Sequence, residues 1–284
     1  MKIILSAFAD EASRDFDGQL AALRENGIGF IEMRNADGKN VSSLTVDEAK
    51  KYREKCDANG IRVWAVGSPL GKAYVGTNMT EYLKKAEHVC RVAEILGTNN
   101  IRAFSFYALS KKMQHEKVMY AVDELMKVFA ANNMLYCHEN EKNIYGDTAE
   151  RVDELLDRFP EMRFVYDPAN FIQTKQPAEK TLKMLADKAY YFHVKDVLGK
   201  SKVVPAGLGD GRLGDLVSLE RGDTVFSVEP HLALFRGCKG FEKSGLAAKS
   251  DISTRRGRFD CAVTAFKKVL SDNGYTEKEG CFEK

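Results

Sequence analysis

The sequence carries almost no net charge. Its 43 basic and 41 acidic side chains leave no field that would draw nucleic acid, an anionic membrane or an acidic polymer. A small-molecule partner is expected, with neither nucleic acid nor membrane. No C-x-x-C pair occurs among the six scattered cysteines (Cys56, Cys90, Cys137, Cys238, Cys261, Cys281), and a chain of 284 residues does not need disulfide staples. Reduced thiols in a cytoplasmic setting are expected, and Cys137, within an apolar run, suits a core position better than a nucleophile. No apolar run is long enough for a membrane span or a signal segment. The opening MKIILSAFADEAS meets Asp10 and Glu11 almost at once and is expected to be a buried first strand. Linkers, low-complexity tracts and internal repeats are also missing, so one domain over residues 1–284 with one large core is expected.

What the sequence does contain is alternation. Strand-length apolar runs at Ile3–Phe8, Ile28–Met33, Ile61–Val66 and Ile101–Phe106 are separated by amphipathic stretches at Ser13–Asn26, Thr45–Asn59 and Asn78–Leu96, with Lys111–Asn132 following the fourth. Thr45 reads as a helix cap, and Gly27, Gly60 and Gly97 as stops. The second half continues with runs at Met134–His138, Arg163–Tyr166, Tyr190–Val194 and Thr224–Val228, and helices near Asp147–Phe159, Ala178–Lys188 and Thr254–Asp272. Eight strands alternating with helices, in a chain slightly above the ~250 residues usual for closure, predict a single (β/α)8 barrel. An open doubly wound sheet would need a phosphate-binding fingerprint after the first strand, and Ala9-Asp10-Glu11-Ala12-Ser13 is not one. The glycine-rich segment Gly207–Gly214 follows no obvious strand and opens no clear helix. A mobile loop over the barrel mouth is the expectation there, ahead of a phosphate loop.

Functional residues of such a barrel gather at the carboxyl ends of its strands. Four successive runs end in suitable groups: His138-Glu139-Asn140-Glu141, Asp167-Pro168-Ala169-Asn170, His193-Val194-Lys195-Asp196 and Glu229-Pro230-His231. The intervals from Glu139 to Asp167, His193 and Glu229 are 28, 26 and 36 residues, against about 31 per unit in a barrel of this size. Neighbouring parallel strands lie about 4.8 Å apart, so inward-pointing ends can converge on one volume, which would hold a cation. Three carboxylates and an imidazole without a thiolate favour Mn²⁺, Mg²⁺ or Co²⁺ over a structural zinc site, with Mn²⁺ first and Zn²⁺ still admitted. The alternative is that each carboxylate pairs with a Lys or Arg at the rim.

These four endings resemble the xylose isomerase-like barrel superfamily of sugar isomerases and epimerases, and the likeness extends over nearly the whole chain. Phe30-Ile31-Glu32-Met33-Arg34 resembles the family's acidic ending of the second strand. Gly67-Ser68-Pro69-Leu70-Gly71-Lys72 resembles a loop of one branch. The resemblance implies that Glu139, Asp167, His193 and Glu229 bind one divalent ion and that Glu139 and Glu229 act as the acid/base pair. A metal-polarised carbonyl would let the neighbouring carbon lose a proton, and two carboxylates could remove and return that proton on opposite faces. Asn170, Lys195, His231, Glu32 and Lys72 are candidate substrate contacts. Lys195 could instead pair with Asp196 or a ligand carboxylate, and His231 could be a rim residue satisfied by a carbonyl. His138 should turn toward the helices by strand parity, and Phe8 and Phe106 are candidate apolar walls. Many relatives carry Pro-x-Gly-Glu-Gly after the seventh strand. Here the run is Pro205-Ala206-Gly207-Leu208-Gly209, with leucine in place of the glutamate.

The expectation is thus a metal-dependent isomerase or epimerase acting on a keto sugar, keto-glycoside or sugar phosphate. Related barrels commonly pair, so a homodimer is expected. A lyase using the same site, like the inosose dehydratases or a 3-keto-glycoside-cleaving enzyme, is the main alternative. A nuclease resembling endonuclease IV would need a multi-zinc cluster and a basic groove, which five histidines and near-neutral charge do not favour. A non-catalytic sugar binder is disfavoured by four intact ligand positions. Phosphate recognition, if present, would fall to the amides of Gly207–Gly211, to Arg212 and to Arg236.

Overall fold

Eight parallel strands close on themselves in the computed structural model, which describes residues 1–246, 251–278 and 280–284. They are β1 (Lys2–Ala7), β2 (Phe30–Met33), β3 (Arg62–Gly67), β4 (Asn100–Ala103), β5 (Leu135–Glu139), β6 (Arg163–Tyr166), β7 (Ala189–Val194) and β8 (Thr224–Val228). Each pairs with the next, and β8 returns to β1 in parallel register from Ile3 opposite Thr224 to Ala7 opposite Val228. The chain is a (β/α)8 barrel, as its alternation predicts.

Helices α1 (Phe16–Glu25), α2 (Val46–Ala58), α3 (Met79–Leu96), α4 (His115–Ala131) and α5 (Ala149–Arg158) surround the first five strands. Their ends follow local chemistry. Thr45 and Glu48 form a reciprocal capping box at the start of α2, and Gly97 closes α3 in the left-handed conformation. The second half is less regular. A short helix α6 (Pro168–Gln173) directly follows β6, ahead of α7 (Ala178–Leu185), while between β7 and β8 come an antiparallel hairpin (Asp196–Leu198 with Lys202–Val204) and the five-residue α8 (Leu213–Val217). Helix α9 (Arg255–Asp272) completes the ring and is capped by Thr254.

Most of the apolar core lies between strands and helices. A smaller cluster inside the barrel, with Cys137, Val165, Tyr191 and Val225 packed against Ile4 and Trp64, forms an apolar floor. The fourth strand stops at Ala103, short of the expected Phe106. Phe106 takes a positive φ of 62° and is buried against the Tyr82 ring, 5.6 Å away. A further departure follows α9, where Thr276–Lys278 and Cys281–Glu283 form a hairpin whose second strand runs antiparallel to the foot of β1. Among the described residues no helix is long and apolar enough to cross a membrane.

Candidate metal centre

The interior floor gives way to polar groups as the strands approach their carboxyl ends. Alternation along β5 points Cys137 and Glu139 into the barrel and His138 outward. His138 is accordingly buried with its Nε2 2.9 Å from Ser105 Oγ. Its surroundings are apolar enough to pull the imidazole down to about 4, against a small upward pull from Glu139. Cys137 is a fully buried thiol whose pKa burial pushes far up, which fits a core role.

Glu139, Asp167, His193 and Glu229 converge as expected: one ligand atom from each lies within 4.8 Å of those of the others, and all four residues are buried. Asp167 ends β6 and also caps α6, its Oδ1 accepting the Asn170 N–H at 2.9 Å, so Oδ2 is the oxygen left for another partner. Asn140 clamps the same backbone by accepting the Asp167 N–H at 2.9 Å and donating to its carbonyl at 2.8 Å. Asn170 donates through Nδ2 to Glu139 Oε1 at 3.0 Å and to the Asn140 carbonyl at 2.9 Å. Both asparagines thus fix the carboxylates, and Asn170 spends its donors inside the protein.

His193 is oriented from below. Its Nε2 lies 3.1 Å from Glu32 Oε2, and Tyr191 donates its hydroxyl to Glu32 Oε1 at 3.0 Å. Glu32 is therefore enclosed beneath the ligand set, 1% exposed, and lies outside the cleft where a substrate contact would be. A carboxylate behind a histidine sets the imidazole's orientation and leaves the other nitrogen forward. That nitrogen, Nδ1, sits 3.2 Å from Glu139 Oε1 without hydrogen-bond geometry.

The four ligand candidates carry too much negative charge to stay unpaired when buried, so cations gather around them. Lys195 Nζ lies 2.7 Å from Asp167 Oδ2 and donates to Glu229 Oε2 at 2.8 Å. Arg102 Nε is 3.3 Å from Glu139 Oε2, and Arg34 Nη1 is 3.3 Å from Glu229 Oε1. The rim-pairing alternative is thus realised alongside the convergence. Lys195 pairs with two ligand candidates, while Asp196, on the opposite face of the chain, pairs elsewhere. Burial raises the Glu139 carboxyl, but His193 and Arg102 outweigh it and hold it near 2. Glu229 is held well below the usual range by His231, Lys195, His193 and Arg34, against burial. Asp167 moves the other way, to about 6, because burial and the neighbouring Glu139 and Glu229 exceed the help from Lys195. Burial lowers His193, yet Glu32 and Glu139 lift it to about 10.

The donor set suits a divalent ion. Asp167 Oδ2 and His193 Nδ1 are both buried and lack a hydrogen-bond partner in spite of their short ion-pair distances, and two carboxylates complete a hard-to-borderline set. A buried Glu/Asp/His site able to coordinate a divalent metal is present. A second group, Glu11, Glu229 and His231, shares Glu229 with it. There, however, His231 Nδ1 and Glu11 Oε1 pair at 3.1 Å.

Above the centre is a cleft of about 140 Å³ with Arg34, Ser68, Lys72, Arg102, Glu141 and His231 in its walls, reached by Glu139 and Glu229. Lys72 bonds Glu141 at 3.0 Å and lies 4.2 Å from the centre of the Phe104 ring. His231 takes a positive φ of 47° to face the cleft. Phe8 is close, edge-on to His193 at 5.2 Å, but fully buried, and Phe104 rather than Phe106 lies beside the site. Arg34 and Arg102 had no assigned role in the sequence. Arg102 carried a signal, a lone charge inside the apolar run Ile101-Arg102-Ala103-Phe104.

The glycine-rich segment corrects its expectation as either a mobile lid or a phosphate loop. Gly207, Gly209 and Gly211 donate their backbone N–H groups to the Asp196 carboxylate at 2.9, 3.0 and 2.9 Å, and Val197 adds a fourth at 2.9 Å. The anion these amides would cradle is the protein's own. A Cβ at Gly209 or Gly211 would come within 2.3 or 2.7 Å of Asp196 Oδ1, which is why glycine recurs. Arg212 pairs with Asp215, and Arg236 caps the carbonyls of Ala233 and Phe235.

A closed (β/α)8 barrel with a buried metal-competent Glu/Asp/His set at its carboxyl face defines the class of protein. Residues 20–242 match the Xylose isomerase-like TIM barrel family, and the chain belongs to it. No curated protein sequence matches. Among solved structures, the chain is similar to the IolI protein with a bound zinc atom (17% identity, 96% of this chain and 99% of that one, TM-score 0.68). It is also similar to D-psicose 3-epimerase with D-tagatose from Clostridium cellulolyticum H10 (14%, 95% and 99%, 0.66). A third is the probable 3-DHS dehydratase AsbF from Bacillus anthracis (16%, 81% and 92%, 0.67). At these identities the likeness shows a shared fold.

Proposed function

We propose that this chain is a divalent-metal-dependent sugar isomerase or epimerase that moves a proton on the carbon next to a carbonyl. The observation that carries the reading is the convergence of Glu139, Asp167, His193 and Glu229 beneath a polar cleft. When bound, a divalent ion, Mn²⁺ by preference, supplies Lewis acidity that polarises the carbonyl. Glu139 and Glu229 are held ionised by their cationic neighbours, the protonation state a general base needs, while the same neighbours weaken each as a base until they turn to the substrate. They come from β5 and the end of β8, which two strands separate, so they approach a bound sugar from different directions. Arg34, Arg102 and His231 offer donors to sugar hydroxyls or to negative charge developing on oxygen. Lys195, Asn170 and Glu32 place the carboxylates and imidazole rather than reaching the cleft. The similarity to a ketose 3-epimerase fits this reading.

The test is solvent exchange. Mn²⁺-loaded protein in D2O, incubated with free ketoses, ketose phosphates and 3-keto-glycosides, should incorporate deuterium beside the carbonyl with inversion or carbonyl migration. Glu139→Gln and Glu229→Gln should each lower the rate by at least about 10²-fold with the fold intact. Loss of a hydroxyl or an aglycone would make the protein a lyase on the same site. Wild-type exchange in both variants would remove the acid/base pair.

A further inference from the structure

Arg34 stands in the wall between two cavities. On one side is the cleft above the ligand set. On the other is a larger cavity of about 450 Å³, formed by the turn after β1, the hairpin after β2, the segment after β8 and the start of α9. Its charges do not cancel. The two carboxylates that face it are already matched: Asp10 bonds Arg34 Nε at 2.9 Å and Nη2 at 3.1 Å, and also Asn35 at 2.6 Å. Glu11 bonds Arg34 at 3.2 Å and accepts the His231 N–H at 2.7 Å. Three further arginines form no ion pair with a carboxylate among the described residues, Arg258 feeling only the more distant charge of Asp251. Arg255 donates to the Asp10 carbonyl at 3.3 Å, and Arg258 to the carbonyls of Ile252 and Ser253, both at 3.0 Å. Arg14 has no hydrogen bond or ion pair among the described residues. It nevertheless has a fixed berth, for it lies across Gly38, where a Cβ would fall 2.3 Å from Arg14 Nε. Three guanidiniums around one cavity, none of them in an ion pair among the described residues, remain a standing demand for an anion.

We propose that this cavity takes the anionic end, a phosphate or carboxylate group, of the same molecule whose carbonyl end lies over Glu139 and Glu229. The proposal rests on the isomerase/epimerase reading for the carbonyl end. The shared wall supplies the link: Arg34 touches Glu229 on one side and Asp10 on the other, and Pro230, next to Glu229, lines the second cavity. The substrate is then an acidic sugar, a ketose phosphate or a keto-acid sugar, rather than a neutral ketose. Guanidinium forks suit both oxyanions, because each presents paired oxygens at the spacing of two N–H donors.

The probe is inorganic phosphate, titrated into the full-length protein by calorimetry or ³¹P NMR, with acetate in parallel to separate phosphate from carboxylate recognition. Arg14→Ala should weaken binding about tenfold and Arg14→Ala/Arg258→Ala should abolish it, whereas His193→Ala should leave it unchanged. Arg14 carries no structural bond, so its substitution keeps the fold, and Arg14→Lys should restore part of the affinity. If neither anion binds the wild-type chain, or if binding survives both arginine changes, or if it follows His193 instead, the proposal is overturned. Deuterium exchange on the ketose panel is read separately. Exchange on neutral ketoses without anion binding would leave the metal-site reading standing and remove this one. Anion binding as expected with no exchange on any ketose would leave an anion site here and overturn its assignment to one end of an isomerase substrate.

Discussion

Glu32 shows how far one buried side chain can act from the cleft. Its two oxygens hold Tyr191 and His193, and Nε2 of that imidazole has no other hydrogen-bond partner among the described residues. Glu32→Gln preserves the shape but removes the charge that orients the ring. The expected result is a fall in Mn²⁺ affinity of about 10- to 100-fold with an unchanged far-ultraviolet spectrum, measured by metal titration and circular dichroism. Unchanged affinity would mean that the carboxylate only fills space. Lys195 gives the opposite sign. Its ammonium already sits between Asp167 and Glu229, so it competes with an incoming ion for the same oxygens. Lys195→Met should bind the metal more tightly than wild type, while its metal-free form melts lower because two carboxylates are left uncompensated. Looser metal binding would show that the lysine helps the ion rather than excluding it.

At the scale of elements, Asp196 and the loop it gathers form one unit. Asp196→Ala would leave the amides of Val197, Gly207, Gly209 and Gly211 without their acceptor. At ~1–3 kcal/mol for each donor kept from water, and with part of the loop able to reach solvent, a loss of about 2–4 kcal/mol is expected. Hydrogen exchange at those glycines should quicken, and unaltered exchange would contradict the anchoring. This loop also marks the limit of what the sequence disclosed. The eight strands were legible because each is an apolar run of the right length. Glu139, Asp167, His193 and Glu229 were legible because each directly ends such a run. Asp196 was not, because an aspartate that feeds distant glycine amides has the same local appearance as any charged strand end. Glu32 and Asn170 were picked out as polar residues near the site, but only the packing shows their oxygens and amides turned inward. The terminal hairpin was missed because Thr276–Lys278 is exposed at every residue and has no apolar alternation.

At the scale of the whole molecule, the metal centre rests on a floor that does not need it. Cys137, Val165, Tyr191 and Val225 fill the barrel below the ligands, and most of the main core lies between the strands and the helices. Chelation should therefore leave the helical spectrum at 25 °C intact. It should remove only the linkage term, about 2.7 kcal/mol for an ion previously present at a hundredfold excess over Kd, or on the order of 5–10 °C in Tm for a chain of this size. Unfolding on mild chelation would show that the ion is structural. The same closed architecture also sets an order of events. The first strand, Lys2–Ala7, has two of its three strand partners supplied late: Thr224–Val228 on one edge, and Cys281–Glu283 at its foot on the other. During synthesis it can pair early only with β2, through Ser6 and Ala7. The ring therefore stays open, with β1 exposed along one edge, until nearly the whole chain has been made, and a ribosome stalled before residue 224 would present an unclosed sheet to chaperones.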